Sequence, residues 1–249
     1  MIANSLNEVI SQLDSIIEES ISTNSRAGYF ASLYKRMTVA VKNGIDSGMF
    51  ENGQRMEKLD VNFANRYFEA YEAWKKNEPT TESWKIAFEC TGKSRLVVLQ
   101  HLLLGINAHI NLDLGLSAAK TSPGIEIESM RNDFEKVNNV IGTLVNKVQG
   151  ELSDICWPMK FIENVSNQKD DAVINFSIKT ARQFAWTVAI TAAQMNESQT
   201  NDYLKIIDKQ IAIVAKNISN PGFFFSFIQM LIKIAEDKGV SSVIKELNK

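Results

Sequence analysis

The sequence predicts an all-α fold, and three observations carry that prediction. Apolar residues recur at spacings of three and four in segment after segment. No stretch alternates apolar and polar with period two over a useful length. Most of the four prolines, Pro79, Pro123, Pro158 and Pro221, fall where a helical pattern has just ended or is about to begin. No Gly-, Ser- or Pro-rich linker divides the 249 residues. One compact bundle of about nine or ten helices over residues 1–249 is therefore expected.

The elements follow in order. Ile2, Leu6, Val9, Leu13, Ile16 and Ile17 form one face of a first helix reaching about residue 22. A second starts near Arg26 with Tyr29, Phe30, Leu33, Tyr34, Met37 and Val41 inward, and frays at Asn43-Gly44. A third carries the aromatic stripe Leu59, Phe63, Tyr67, Tyr71 and Trp74 and stops before Pro79. Thr80 or Thr81 then caps a short helix bearing Trp84, Ala87 and Phe88, closed by Gly92. Ser94 is the expected cap of a fifth, central helix over residues 94–120, ended by Thr121-Ser122-Pro123-Gly124. A sixth is expected from Glu126 to Leu152, and a seventh after Asp170-Asp171 with Phe176, Ala181, Phe184, Ala185 and Ala189. The C-terminal helices, within 199–249, are placed at Asp202–Asn217, Phe223–Asp237 and Ser241–Leu247.

Composition excludes several functions. Formal charge is -2 with Lys and Glu interspersed, so no basic stripe exists to neutralise phosphates and no nucleic-acid partner is expected. The most apolar windows, 96–106 and 223–232, are short of the roughly 20 residues a span requires, so no membrane span is expected. Cys90 and Cys156 form no C-x-x-C pair, and MIANSLNEVISQLDSIIEES has acidic residues where a signal peptide has a basic segment. A reduced, cytoplasmic protein is expected. The phosphate-loop, dinucleotide and nucleophile-elbow patterns are absent, so no nucleotide cofactor is predicted.

The candidate chemistry lies in HLLLGINAHINLDLGLS, residues 101–117, which holds both histidines of the chain. His101, Gly105, His109, Asp113 and Ser117 are spaced by fours and form one ridge on a helix that is otherwise mostly Leu and Ile. A buried ionisable ridge must be hydrogen-bonded, charge-paired or open to a pocket. His109 and Asp113 are one turn apart, close enough for the carboxylate to orient the imidazole or for both to bind one ion. His101 lies about 12 Å farther along the axis, within reach of the far end of a small molecule only. Gly105 leaves a gap that a ligand or a neighbouring helix can fill. A second row, Gln100, Asn107 and Asn111, points the other way.

Two readings stay open. In one, His109 and Asp113 with His101 perform acid-base or metal-assisted chemistry on a small, largely apolar substrate. Gly105, Asn107, Arg182, Tyr67, Arg66 and Trp186 are its candidate contacts. A divalent metal would sit on His109, Asp113 and Asp60, with Asp133 or a glutamate as a further donor, a set that suits Mg, Mn or Fe at least as well as Zn. In the other, the ridge is a structural polar network in a non-catalytic ligand-binding or homo-oligomeric helical protein. Asn175, Arg182 and Trp186 share a late helix face, and a buried Arg182 requires an anion from Asp113, Asp60 or a substrate.

The segments SRAGYFASLYKRMT, LDVNFANRYFEAYEAW, HLLLGINAHINLDLG and VINFSIKTARQFAW, spanning about residues 25 to 190, resemble an uncharacterised family of bacterial proteins, a domain of unknown function. The resemblance implies one helical domain and supplies no activity. It directs attention to Arg26, Asp60, Arg66, Tyr67, His101, Asn107, His109, Asp113, Asn175 and Arg182. His109-Ile-Asn-Leu-Asp113 is also similar to the His-x-x-x-Asp of helical zinc-dependent phospholipase C and single-strand nucleases. The further histidines and N-terminal Trp of that type are missing here.

Overall fold

A computed structural model describes residues 2–137, 140, 178–220 and 239–249. Among these residues there are helices and no strands, in agreement with the all-α prediction. The helices are α1 (Leu6–Ser22), α2 (Ala27–Asp46), α3 (Gly53–Lys75), α4 (Glu82–Thr91), α5 (Val98–Ala108), α6 (Gly115–Thr121), α7 (Ile178–Ala192), α8 (Glu197–Ser219) and α9 (Val240–Leu247). A π-helical segment, His109–Leu114, joins α5 to α6 without a break, and a 3-10 segment, Gly124–Met130, leads into a further helical stretch at 131–137. The remainder of the sixth helix, Cys156, Trp157-Pro158, Asp170-Asp171, Asn175, Phe176 and the helix expected at Phe223–Asp237 lie outside the described residues.

Local chemistry sets the boundaries. Ser5 and Asn52 accept from the amides of Glu8 and Arg55 to start α1 and α3, and Asn196 with Gln199 forms a reciprocal capping pair at α8. Asn24 and Asn77 take the left-handed conformation after α1 and α3, with φ of 56° and 57°. Two caps come from distant carboxylates. Asp208 of α8 accepts from the Glu82 and Ser83 amides at 2.6 and 3.0 Å and so caps α4 in place of Thr81. Asp133 accepts from the Glu51 and Asn52 amides at 2.8 and 2.9 Å, which ties the chain before α3 to the 131–137 stretch and occupies both its oxygens. Ser94 caps nothing. α5 begins at Val98, and the Gln100 side chain accepts from the Val97 amide.

The helix through α5, the π segment and α6 is the centre of the molecule. Every residue from Gln100 to Ala119 is buried, and α2, α3, α4, α7 and α8 pack around it. Its 24 residues are long and apolar enough to cross a bilayer by composition, but the window is 94% buried inside the protein, as a core helix is. One hydrophobic cluster runs from Ala3 to Leu247, with α1, α2 and α9 packed on one another at the chain ends. Phe184 of α7 is exposed.

Two glycines let neighbours approach the central helix. A Cβ at Gly105 would lie 2.4 Å from the Phe30 ring of α2, and one at Gly115 would lie 2.5 Å from the Ala185 carbonyl oxygen of α7. The gap at Gly105 is therefore filled by Phe30, and Gly105 is a packing residue where a substrate contact was expected.

Candidate functional site

The ridge of the central helix divides into parts with different partners. His101 is buried with its ring edge-on to Tyr29 at 5.7 Å and does not join the site around His109. The Gln100, Asn107 and Asn111 row faces α8. The Gln100 side-chain amide donates to the Ile218 carbonyl at 2.7 Å, that of Asn107 to Ile211 at 3.1 Å, and that of Asn111 to the Asn107 oxygen at 3.0 Å. Asn107 thus fixes α8 to the core and is not a substrate contact.

His109 and Asp113 face α2, α3 and α4. Asp113 accepts from Arg66 Nε at 2.8 Å through one oxygen and from Trp84 Nε1 at 2.8 Å through the other. His109 Nδ1 lies 3.3 Å from that second oxygen. Burial alone would raise the Asp113 carboxyl, but the Arg66 guanidinium with the His109 and Trp84 hydrogen bonds holds it below the usual carboxylate range. Burial lowers the His109 imidazole and outweighs the attraction of Asp113, so the ring is neutral near pH 7. With Asp113 ionised, Nδ1 is assigned the proton and Nε2 is left as an acceptor.

An aromatic box fixes the imidazole plane. Phe63 stacks on it at 3.5 Å between centroids, and Tyr34 meets it edge-on at 4.4 Å. Phe30, Tyr67 and Trp84 complete the surround at 5.7 to 6.0 Å. The Nε2 atom has no protein partner, and His109 is 2% exposed.

A cavity of about 60 Å³ lies against this face, and His109, Tyr34, Thr38, Asp60 and Arg182 are in its wall with Phe30 and Phe63. Asp60 Oδ2 also has no hydrogen-bond partner, and the Tyr34 and Thr38 hydroxyls interact with each other one turn apart on α2. Burial pushes the Asp60 carboxyl up to about 7 against the opposing pull of Arg182. Burial lowers Arg182 to about 10, with Asp60 opposing. The guanidinium donates to the Phe134 carbonyl at 2.6 Å and lies 4.4 Å over the Phe134 ring, which also packs on Trp186. The carboxyl beside Arg182 is therefore that of Asp60, while Asp113 belongs to Arg66.

Of the sequence candidates, His109, Asp60 and Arg182 line the cavity, while Asp113 and Tyr67 meet His109 outside it and Arg66 is bound to Asp113. His101, Gly105, Asn107 and Trp186 do not line the cavity. The proposed metal set of His109, Asp113 and Asp60 is not assembled. Both Asp113 oxygens are committed to N–H donors, Asp133 caps the chain before α3, and among the described residues no three His, Cys, Asp or Glu side chains converge on one point. Tyr34 and Thr38 were missed as site residues. Their signal is present: Phe30, Tyr34 and Thr38 repeat by fours on α2, matching the fourfold ridge of the central helix.

The fold and site define an all-helical protein with a histidine, oriented by a buried carboxylate, set against an internal cavity. The chain belongs to a family of unknown function, DUF5995, whose profile matches residues 6–221, wider than the 25–190 marked by the quoted segments. No curated protein and no solved structure matches the chain, and the likeness to zinc-dependent phospholipase C finds no support.

Proposed function

We propose that this chain is an enzyme of acid-base chemistry on a small, largely apolar substrate held in the cavity against His109. The observation that carries this reading is the His109 Nε2 atom, buried, without a partner and held by Asp113 in the accepting tautomer at the cavity wall. Asp60 supplies the complementary group, a carboxyl raised to about 7 that carries a proton near neutral pH. His109 takes a proton from the substrate at Nε2, and Asp60 gives one to the substrate. Exchange with solvent returns both groups to their starting forms, so the step is neutral in protons.

The test is incubation with short aliphatic alcohols, aldehydes and ketones in deuterated buffer, followed by NMR for consumption and for deuterium at carbon. The His109→Asn variant keeps a donor toward Asp113 and lacks Nε2. Turnover or deuterium uptake by the wild type that disappears in the variant is expected. Equal rates in the two proteins, or none in either, overturn the reading.

A further inference from the structure

The carboxylate that orients His109 is shared unequally among its donors. Trp84 Nε1 donates to one Asp113 oxygen at 2.8 Å, while His109 Nδ1 stands 3.3 Å from that same oxygen. The shorter bond takes the larger share of the oxygen and leaves the imidazole a long contact. Arg66 Nε donates to the other oxygen at 2.8 Å. A buried histidine-aspartate pair without such helpers behaves differently. Its lone negative charge draws a proton onto the ring, both ring nitrogens then donate, and neither can accept.

The charge balance acts in the same direction. Asp113 and His109 are 1% and 2% exposed. With Arg66 cationic and Asp113 anionic, the buried cluster is neutral only while the imidazole is neutral, and a proton at Nε2 would leave it with a net positive charge. Without Arg66 the cluster carries an unbalanced negative charge, which a proton on His109 cancels. Arg66 opposes that proton in the native protein, against the pull of Asp113. The other ionisable groups around the ring do not take its place. Tyr34 of α2 and Tyr67 of α3 are phenols that burial pushes well above their ordinary range, so they stay uncharged. Asp60 of α3 and Arg182 of α7 stand in the cavity wall and make no contact with Asp113. α4 brings Trp84 to the ring, and α8 packs on the opposite face of the central helix through Asn107.

We infer that Trp84 and Arg66 are positioning residues for the acid-base step: by engaging Asp113 they keep the carboxylate from turning His109 into an imidazolium, so that Nε2 stays an acceptor at the cavity. The inference rests on the acid-base reading and states how its base is held ready. It assigns the role of Trp84 to the indole N–H, beyond the bulk of the ring, and gives the partly exposed Arg66 a role beyond packing.

The test is an NMR titration of the full chain carrying ¹⁵N-labelled histidine, which reads ring protonation and tautomer directly. His101 and His109 are the only histidines, and the His109→Asn variant assigns the two rings. Wild-type His109 is expected near pH 7 with its proton on Nδ1 and none on Nε2. Trp84→Phe removes the N–H and keeps an aromatic ring. Arg66→Gln removes the charge at a partly exposed position and carries the test alone if Trp84→Phe does not fold. In each variant the His109 midpoint is expected to move up by about one pH unit, about a tenfold gain in proton affinity, while His101 keeps its own. Loss of packing alone lowers the melting temperature and leaves that midpoint where it was. Either folded variant with the wild-type midpoint and tautomer at His109 overturns the inference and leaves the acid-base reading standing. A wild-type ring that carries its proton on Nε2 at pH 7 overturns the inference and the reading together.

Discussion

Asp113→Asn is the perturbation that most directly probes the framework around His109. The native carboxylate takes Arg66 on one oxygen and Trp84 with His109 on the other. An amide of the same shape can accept on one side only and must turn its NH₂ toward donors on the other. Arg66 is 28% exposed along its side chain and can swing to water, whereas Trp84 and His109 are buried. The variant therefore keeps its oxygen toward Trp84 and His109 and loses the Arg66 pair together with the charge on the remaining bonds. A hydrogen bond to a charged group contributes about 1.5–3 kcal/mol, and part of the Arg66 share is recovered from solvent, so a loss of about 2–4 kcal/mol is expected. For a chain of this length that lowers Tm by about 5–15 °C in calorimetry at pH 7. Trp84→Phe should cost less, about 1–2 kcal/mol, because two donors remain on the carboxylate. An Asp113→Asn protein that melts with the wild type would refute the assignment of this carboxylate as the anchor of three elements.

Two further outcomes follow from the geometry. Gly115→Ala places a methyl 2.5 Å from the Ala185 carbonyl oxygen, a backbone atom that cannot rotate aside. Even after the gain of about 1 kcal/mol in helix propensity, a net loss of about 1–3 kcal/mol is expected in chemical denaturation, and a stabilised variant would contradict the packing of α7 on α6. For pH, the His109 imidazole is neutral in the fold and takes a proton in the unfolded chain below about 6.5, so its contribution falls as pH drops through that value. Asp60 acts in the opposite sense, since its carboxyl at about 7 in the fold costs stability as pH rises from about 4 to 7. The wild-type stability minus that of His109→Asn isolates the imidazole and should decrease from pH 7 toward pH 5. Parallel profiles would show that His109 is not held neutral.

The helices were legible because their signals are local. Threefold and fourfold apolar spacing placed α1, α2, α3 and the central helix, and Asn77 before Pro79 ended α3. The start of the central helix was not legible. Ser94 has the right chemistry for a cap, yet the chain stays non-helical to Val97, where the Gln100 side chain takes over the amide. Within the site, the His109–Asp113 pair followed from spacing, but its partners Arg66 and Trp84 depend on how α3 and α4 dock, which no one-dimensional pattern encodes. The same holds for Gly105. A missing side chain marks a close approach, and only the docking of α2 shows that Phe30, and no ligand, makes it.

The π segment explains why a ridge of fours works at all. On an α-helix of 3.6 residues per turn, a step of four overshoots one turn, so His101, Gly105 and His109 drift steadily around the axis. That drift carries His101 to Tyr29 and leaves His109 among the aromatic rings of α2, α3 and α4. Over His109–Leu114 the wider i→i+5 turn makes a step of four fall short of a full turn, which reverses the drift between His109 and Asp113. Asp113 is thereby brought back beneath the imidazole and toward Arg66 and Trp84, instead of continuing toward α7. The Asn107–Asn111 bond meanwhile holds the opposite face on α8. The local widening is what lets one buried helix present a fixed polar network on one side and an unpartnered imidazole nitrogen on the other.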